Sequence, residues 1–321
     1  MKCKWIKKLT AGIIFLAAVG SLSGCQKAAT SENLFRDIEV NMTSVESAEE
    51  NQIVKLQMGD GDSAISQESN LDIEMTRNPA SVHRKGQQKT NMAGTKETQE
   101  MESYQVEEDG KTVIYSGTDE AWEKNAVEEK ETSSQQTVLF DGLQNLSGAF
   151  SVSQGLETVN KEECFELTGT ISGTQFQETF ADTLKALLGE DSSDLSGWNL
   201  QASEDEENNE ELQKKLNNVK VDCVIDIYRS NILPAKITFD LTDYLKAAGE
   251  ENAQVTSYTL EVTFVSYNDT KKIKVPKAVK ESAKDNGEDE AENSTDEMLE
   301  EENQEAAAEA EAAKGIRSDI E

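Results

Sequence analysis

Short segments in which apolar and polar residues alternate, divided by polar turns, constrain this chain more than any other feature. A period of two puts one side chain in two on each face of a strand. Such runs are read at Phe35 to Val45 (Ile38, Val40, Met42), Gln52 to Met58, Asn70 to Thr76, Met101 to Glu107 and Thr112 to Ser116. They recur at Glu163 to Ser172, Lys220 to Arg229, Ala235 to Leu241 and Gln254 to Tyr267. Glu108-Asp109-Gly110 is an Asp-Gly turn signal and marks a hairpin. Helical spacing is confined to the middle, at Thr137 to Phe150 and more clearly at Thr174 to Leu188, where Phe180, Leu184, Leu187 and Leu188 share a face. Glu210 to Leu216 has the length of a short helix. Roughly nine strands with two or three helices and no alternating βαβ rhythm define an α+β fold on one curved antiparallel sheet. The helix at Thr174 to Leu188 is the natural cover for its apolar concave face.

The N-terminus gives the address. Lys2, Lys4, Lys7 and Lys8 precede an apolar stretch from Leu9 to Val19, shorter than the roughly 20 residues of a spanning helix. Leu22-Ser23-Gly24-Cys25 behind it resembles the bacterial lipobox. Residues 1–24 are therefore read as a lipoprotein signal peptide cleaved between Gly24 and Cys25. Cys25 becomes the diacylglyceryl-modified first residue of the mature chain, and its two acyl chains supply stable membrane anchoring. Residues 25–33 form a lipidated linker, 34–280 the folded body and 281–321 a disordered acidic tail. That tail carries 16 Asp/Glu against 3 Lys/Arg and almost no large apolar residue.

Composition narrows the partners. With 63 Asp and Glu against 31 Lys and Arg, the formal net charge is −32, a field that repels nucleic-acid phosphates. Membrane attachment falls to the lipid on Cys25. Two cysteines remain in the body, and an exported address permits a disulfide between Cys164 and Cys223. Their phases disagree, Cys223 alternating with apolar Val221, Ile225 and Ile227, and Cys164 with Glu166, Thr168 and Thr170; two separate thiols are the alternative.

Catalytic signals are sparse. The one histidine, His83, lies in the polar stretch Pro79 to Thr90 and reads as an exposed loop residue. One histidine and two cysteines at unrelated spacings do not make a zinc set, so no metal and no cofactor is assigned. Gly59-Asp60-Gly61-Asp62 lacks the spacing of a calcium loop and reads as a turn. No phosphate-binding glycine motif occurs. Trp122 is read as packing against the sheet.

Several patterns together resemble uncharacterised lipoproteins of Gram-positive bacteria, similar to the LolA/LolB/LppX-like superfamily. They are the lipobox, the hairpin leading into Val113-Ile114-Tyr115 and Trp122, the strand entered through Leu233-Pro234-Ala235-Lys236-Ile237, and Phe264-Val265-Ser266-Tyr267-Asn268 running into Ile273-Lys274-Val275-Pro276. The resemblance implies an unclosed half-barrel with helices over its mouth, a fold that carries lipid or acyl chains in better-known relatives, with no catalytic residues. It departs from that pattern in its first segment, read as a strand where relatives place a helix. The expectation is a non-enzymatic, membrane-anchored extracytoplasmic module for a hydrophobic ligand or lipid, with Phe180, Leu184, Leu187 and Leu188 lining the site. The alternative is a structural or interaction lipoprotein of the envelope without a cavity.

Overall fold

The computed structural model describes residues 29–59, 64–118, 121–127, 140, 142–188, 212–248 and 254–285, the side chains of 181–188 excepted. Gly24, Cys25, Asp60 to Asp62 and residues 286–321 fall outside that description. One open sheet organises everything described, in the order β12-β6-β5-β4-β3-β2-β1-β11-β10-β9-β8-β7. Its strands are β1 (Ser47–Met58), β2 (Ile65–Arg77), β3 (Ala80–Met92), β4 (Thr95–Glu108), β5 (Lys111–Thr118), β6 (Ala121–Val127), β7 (Phe150–Val159), β8 (Glu162–Ser172), β9 (Lys220–Tyr228), β10 (Pro234–Asp240), β11 (Val255–Tyr267) and β12 (Lys284–Asp285). Eleven strands pair antiparallel; only the two-residue β12 runs parallel to its neighbour β6. The sheet is two meanders, β1 to β6 and β7 to β11, joined where β1 pairs with β11.

The α+β class holds, and the local assignments differ in instructive places. The segment read as a strand at Phe35 to Val45 is helix α1 (Ser31–Met42). Thr30 caps it, its hydroxyl accepting from the Asn33 amide, and Leu34, Phe35, Ile38 and Met42 fall on one buried stripe. Val40, which made the segment look alternating, is 62% exposed. Of the helix expected over Thr137 to Phe150, the described residues hold α2 (Leu143–Leu146) and a 3₁₀ turn, and Phe150 already opens β7. Pro79 to Thr90 is not a loop. It lies almost wholly in β3, a strand whose two faces are both largely polar and so give no alternation. The 109–110 turn forms as read, with both residues at positive φ and Glu108 paired to Lys111.

The inner face of the sheet is defined by helices α1, α2, α3 (Gly173–Leu188) and α4 (Thr242–Ala248), with a helical turn at 212–216. They pack over β7 to β11 and part of β1. Aromatic rings fill the space beneath α3: Phe176 and Phe180 meet the Phe239 ring edge-on at 5.2 and 4.9 Å, and Tyr244 lies 5.0 Å from Phe176. Near α1, Phe35 meets Phe150 edge-on at 5.2 Å.

Beyond β11 the chain crosses to the outer face. There Ile273, Val279 of α5 (Lys277–Ser282) and Ala283 cover Tyr104, Val106, Val113, Tyr115 and Trp122. Lys280 pairs with Glu108, and β12 closes onto β6, so this strap guards an edge strand. Trp122 is buried, as read. The tail boundary drawn at Glu281 cuts through α5, which packs through Val279, with Ala283 packing just past its end.

The cysteines do not bridge. Cys164 pairs with Tyr228 and Cys223 with Gly169, five positions apart along the β8–β9 ladder and hence about 16 Å apart on opposite faces. Both thiols are buried, and burial raises both above the usual thiol range.

One glycine holds a packing contact. Gly169 lies opposite Phe150, and a Cβ there would sit 2.6 Å from the ring. Gly169→Val should displace Phe150 and cost about 1–3 kcal/mol, a fall of several degrees in the thermal midpoint. Gly148→Ala, with nothing within 4 Å of the added carbon, is the control and should leave the midpoint in place.

Candidate ligand site on the inner face

Antiparallel register lays inner-face side chains out in rows. One row runs Val262, Gln52, Leu71, Gly86, Met101 across β11, β1, β2, β3 and β4; the next runs Phe264, Glu50, Ile73, Arg84, Ser103. The helix-packed core stops at β1. Past it the apolar surface continues as a smaller cluster of Ala48, Ile73, Met75 and Val82, with Leu71 against it. Leu71 and Met101 are half-buried. Between them Gly86 contributes no side chain and cannot accept one, since a Cβ would lie 2.0 Å from the Asn70 carbonyl oxygen. The row is therefore indented where its flanks are apolar.

Two polar residues border this indentation on β1. Glu50 and Gln52 are each 1% exposed, and neither carboxylate oxygen of Glu50 nor the amide oxygen of Gln52 has a hydrogen-bond partner. A buried polar atom left unsatisfied costs about 1–3 kcal/mol. A register shift between Glu49 and Glu50 against β11 marks a bulge at Val265 of that strand, while β1 pairs with β2 without a break, so Glu50 and Gln52 alternate onto the inner face. Burial pushes the Glu50 carboxyl up to about 8, against the pull of the Arg84 guanidinium, and burial likewise lowers Arg84. Tyr267, stacked on Phe264 at 5.5 Å, donates its hydroxyl to the Pro234 carbonyl at 2.8 Å. Burial, with the Glu50 charge adding to it, raises Tyr267 well above the usual phenol range.

The sequence named none of these residues as a site. A lone glutamate in the run Glu49-Glu50-Asn51-Gln52 looks solvent-facing. Only the register against β2 and β11 reveals that Glu50 points into the body.

Of the residues read as lining a ligand, Phe180 is 1% exposed and built into the aromatic cluster. Leu184, Leu187 and Leu188 follow it on α3, with side chains outside the described residues.

His83 lies on the outer face. Its Nε2 is 2.9 Å from Glu102 Oε1, its Nδ1 is 3.6 Å from Glu74, and its ring stacks on Tyr104 at 4.3 Å. Tyr104 donates to the same Glu102 oxygen and Lys85 to the other. Burial works to raise Glu102, but the hydrogen bonds from His83, Lys85 and Tyr104 outweigh it and hold the carboxyl below the usual range. Among the described residues no serine or cysteine is hydrogen-bonded to the imidazole, so this group is a cross-strand ion-pair lattice rather than a nucleophile and its base. No cluster of three or more metal-ligating side chains occurs among the described residues.

The architecture is an open antiparallel sheet with α1 to α4 on its inner face and the short α5 on the outer one. Residues 30–284 match the model of a family of unknown function, DUF6612, and the chain belongs to that family. Among solved structures it is similar to LprF from Mycobacterium bovis, at 11% identity and a TM-score of 0.42, covering 77% of this chain and 96% of that one. It is also similar to the Mycobacterium tuberculosis lipoprotein LppX, at 13% identity and 0.39, covering 76% and 98%. A DUF1329 family protein from Desulfovibrio piger matches at 8% identity and 0.21, covering 75% and 93%. A search of curated proteins finds no match. No described helix is long and apolar enough to cross a membrane.

Glu50 gives stability a pH dependence of fixed sign. Its folded-state value, about 8, lies above the ordinary 4.5, so the folded form holds a proton that the unfolded form has released. Stability is then full below about pH 4.5 and falls as pH rises towards 8, by at most about 1.4 kcal/mol per pH unit. Asp226, pushed up to about 6 by burial and by neighbouring Glu166, adds the same sign at lower pH. Urea midpoints measured from pH 5 to 8 should fall in the wild type. In Glu50→Gln they should flatten above pH 6.

Proposed function

We propose that the chain is a lipid-anchored, extracytoplasmic binding module of a Gram-positive cell envelope, holding a lipid or other apolar ligand on the inner face of its open sheet. The observation that supports this is the Gly86 indentation, with Leu71 and Met101 beside it, which continues the apolar face past the last helix-packed strand. The role proposed is non-enzymatic, binding by apolar walls and buried polar groups. Cys25, freed by cleavage after Gly24, carries the diacylglyceryl anchor. Only five residues, 26–30, separate it from α1, so the body is held within roughly 20 Å of the membrane surface. The second half of α3, bearing Leu184, Leu187 and Leu188, acts as the gate, and Phe180 is its fixed root in the core.

A structural or interaction lipoprotein without a cavity is the competing reading, favoured by the rings that fill the space beneath α3. Native mass spectrometry of the full chain released gently from membranes separates the two. A retained lipid mass is expected for the wild type, with loss in a Leu184→Asp variant that keeps its thermal midpoint; a wild-type chain that carries no lipid and takes up no apolar probe overturns the binding module. Fatty-acid labelling should vanish in Cys25→Ala, with the chain leaving the membrane fraction, and labelling that persists overturns the anchor.

A further inference from the structure

The three unsatisfied oxygens on β1 say more about the ligand than its being apolar. Glu50 Oε1, Glu50 Oε2 and Gln52 Oε1 sit two residues apart on one strand, on one face and about 7 Å along it. Gln52 Oε1 and one oxygen of the Glu50 carboxyl are acceptors, while the other oxygen carries a proton and donates, so the group that completes them both donates and accepts. Their flanks on the same face are Phe264, Val262, Leu71 and Ile73, which suit a hydrocarbon chain.

Three kinds of head carry donors or compete for the place. An ammonium head would bring a second cation to a face that already holds the Arg84 guanidinium, one strand beyond Ile73. An anionic head has no donor to give Gln52 Oε1 and approaches a chain of net charge −32. A hydroxylated, uncharged head has neither fault. A hydroxyl donates to Gln52 Oε1 and exchanges donor and acceptor roles with a carboxyl that burial keeps protonated near neutral pH.

Resting on the binding-module reading, we propose that Glu50 and Gln52 are the headgroup site for an uncharged amphiphile with a hydroxyl-bearing head, such as a sugar or polyol on an alkyl chain. The chain of the ligand lies over Leu71, the Gly86 indentation and Met101. The head replaces the missing partners of β1 and removes the desolvation cost that those oxygens carry in the free protein.

The test uses the full-length lipidated chain in phosphatidylcholine nanodiscs and three decyl amphiphiles bearing a diazirine in the alkyl chain: a glucoside, a trimethylammonium and a phosphate. Photolabelling of the peptides spanning β2 and β3 is read by mass spectrometry. The glucoside should label at least about tenfold more than either charged probe, the size expected for one well-made set of hydrogen bonds. Gln52→Leu and Glu50→Leu should bring it down to their level while the thermal midpoint holds or rises, since apolar replacement of a buried polar group removes an unmet demand. Should Glu50→Leu fail to fold, Gln52→Leu carries the test alone. Equal labelling by all three heads, or a preference for a charged one, overturns the headgroup assignment and leaves the binding module standing. Labelling by none of the three overturns both.

Discussion

The ladder between β1 and β11 is the contact on which the rest of the fold depends. It joins residues as far apart in sequence as Ala48 and Tyr267, and through it two meanders become one sheet. Each meander closes short loops cheaply, whereas the seam must close the whole intervening chain before it contributes anything. Helix α1 immediately precedes β1 and lays Phe35 and Ile38 into the core built on β7 to β11. Covering the far meander thus ties the seam from a second direction. Asn268, just past β11, accepts from the Glu46 amide with its side chain and donates its own amide to Ser47, locking the seam's end.

The two faces of the sheet carry separate hydrophobic clusters, and the chain uses its two ends to cover them. The N-terminal helix serves the inner face; the C-terminal strap serves the outer. This explains why Trp122 and Tyr115, which precede the strap by about 150 residues, stay buried without any helix of the inner layer touching them. It also explains the ion-pair lattice around His83. Outer-face side chains of β2 to β4 next to the strap are polar and satisfy one another across strands, a stabilising pattern for a solvated sheet surface.

Much of the sheet was legible because half-buried strands alternate. Glu163 to Ser172, Lys220 to Arg229 and Gln254 to Tyr267 each present one apolar face, and their observed bounds differ by only a residue or so. Legibility failed where a physical cause hid the period. In β3 nearly every side chain is polar, and the strand exists because β2 and β4 pair with it along its whole length. In α1 Ile38, Val40 and Met42 keep a period of two while Leu34, Phe35, Ile38 and Met42 keep the helical one, and the structure, capped at Thr30, takes the second. The cysteine phases pointed to opposite faces, and the structure keeps them there. The polar site was invisible for a different reason: Glu49 and Glu50 read alike in sequence, and only the pairing of β1 with β2 and β11 shows which of them faces the inner surface.

A bulge lies where the seam meets the site. Between Glu49 and Glu50 one extra residue of β11 is accommodated, and Val265, left over, is 53% exposed. Pairing β1 and β11 without the bulge would turn Phe264, Val262 and Leu260 away from the helix-packed face by the period of two, so the step keeps the core side of β11 intact. Glu50 faces inward for a separate reason, the regular alternation of β1 against β2 that it shares with Ala48 and Gln52. The sheet therefore carries an unsatisfied carboxyl beside the one place where its two halves must hold together. Stability alone supplies no reason for that carboxyl, whereas a group that has to meet a ligand on the inner surface does.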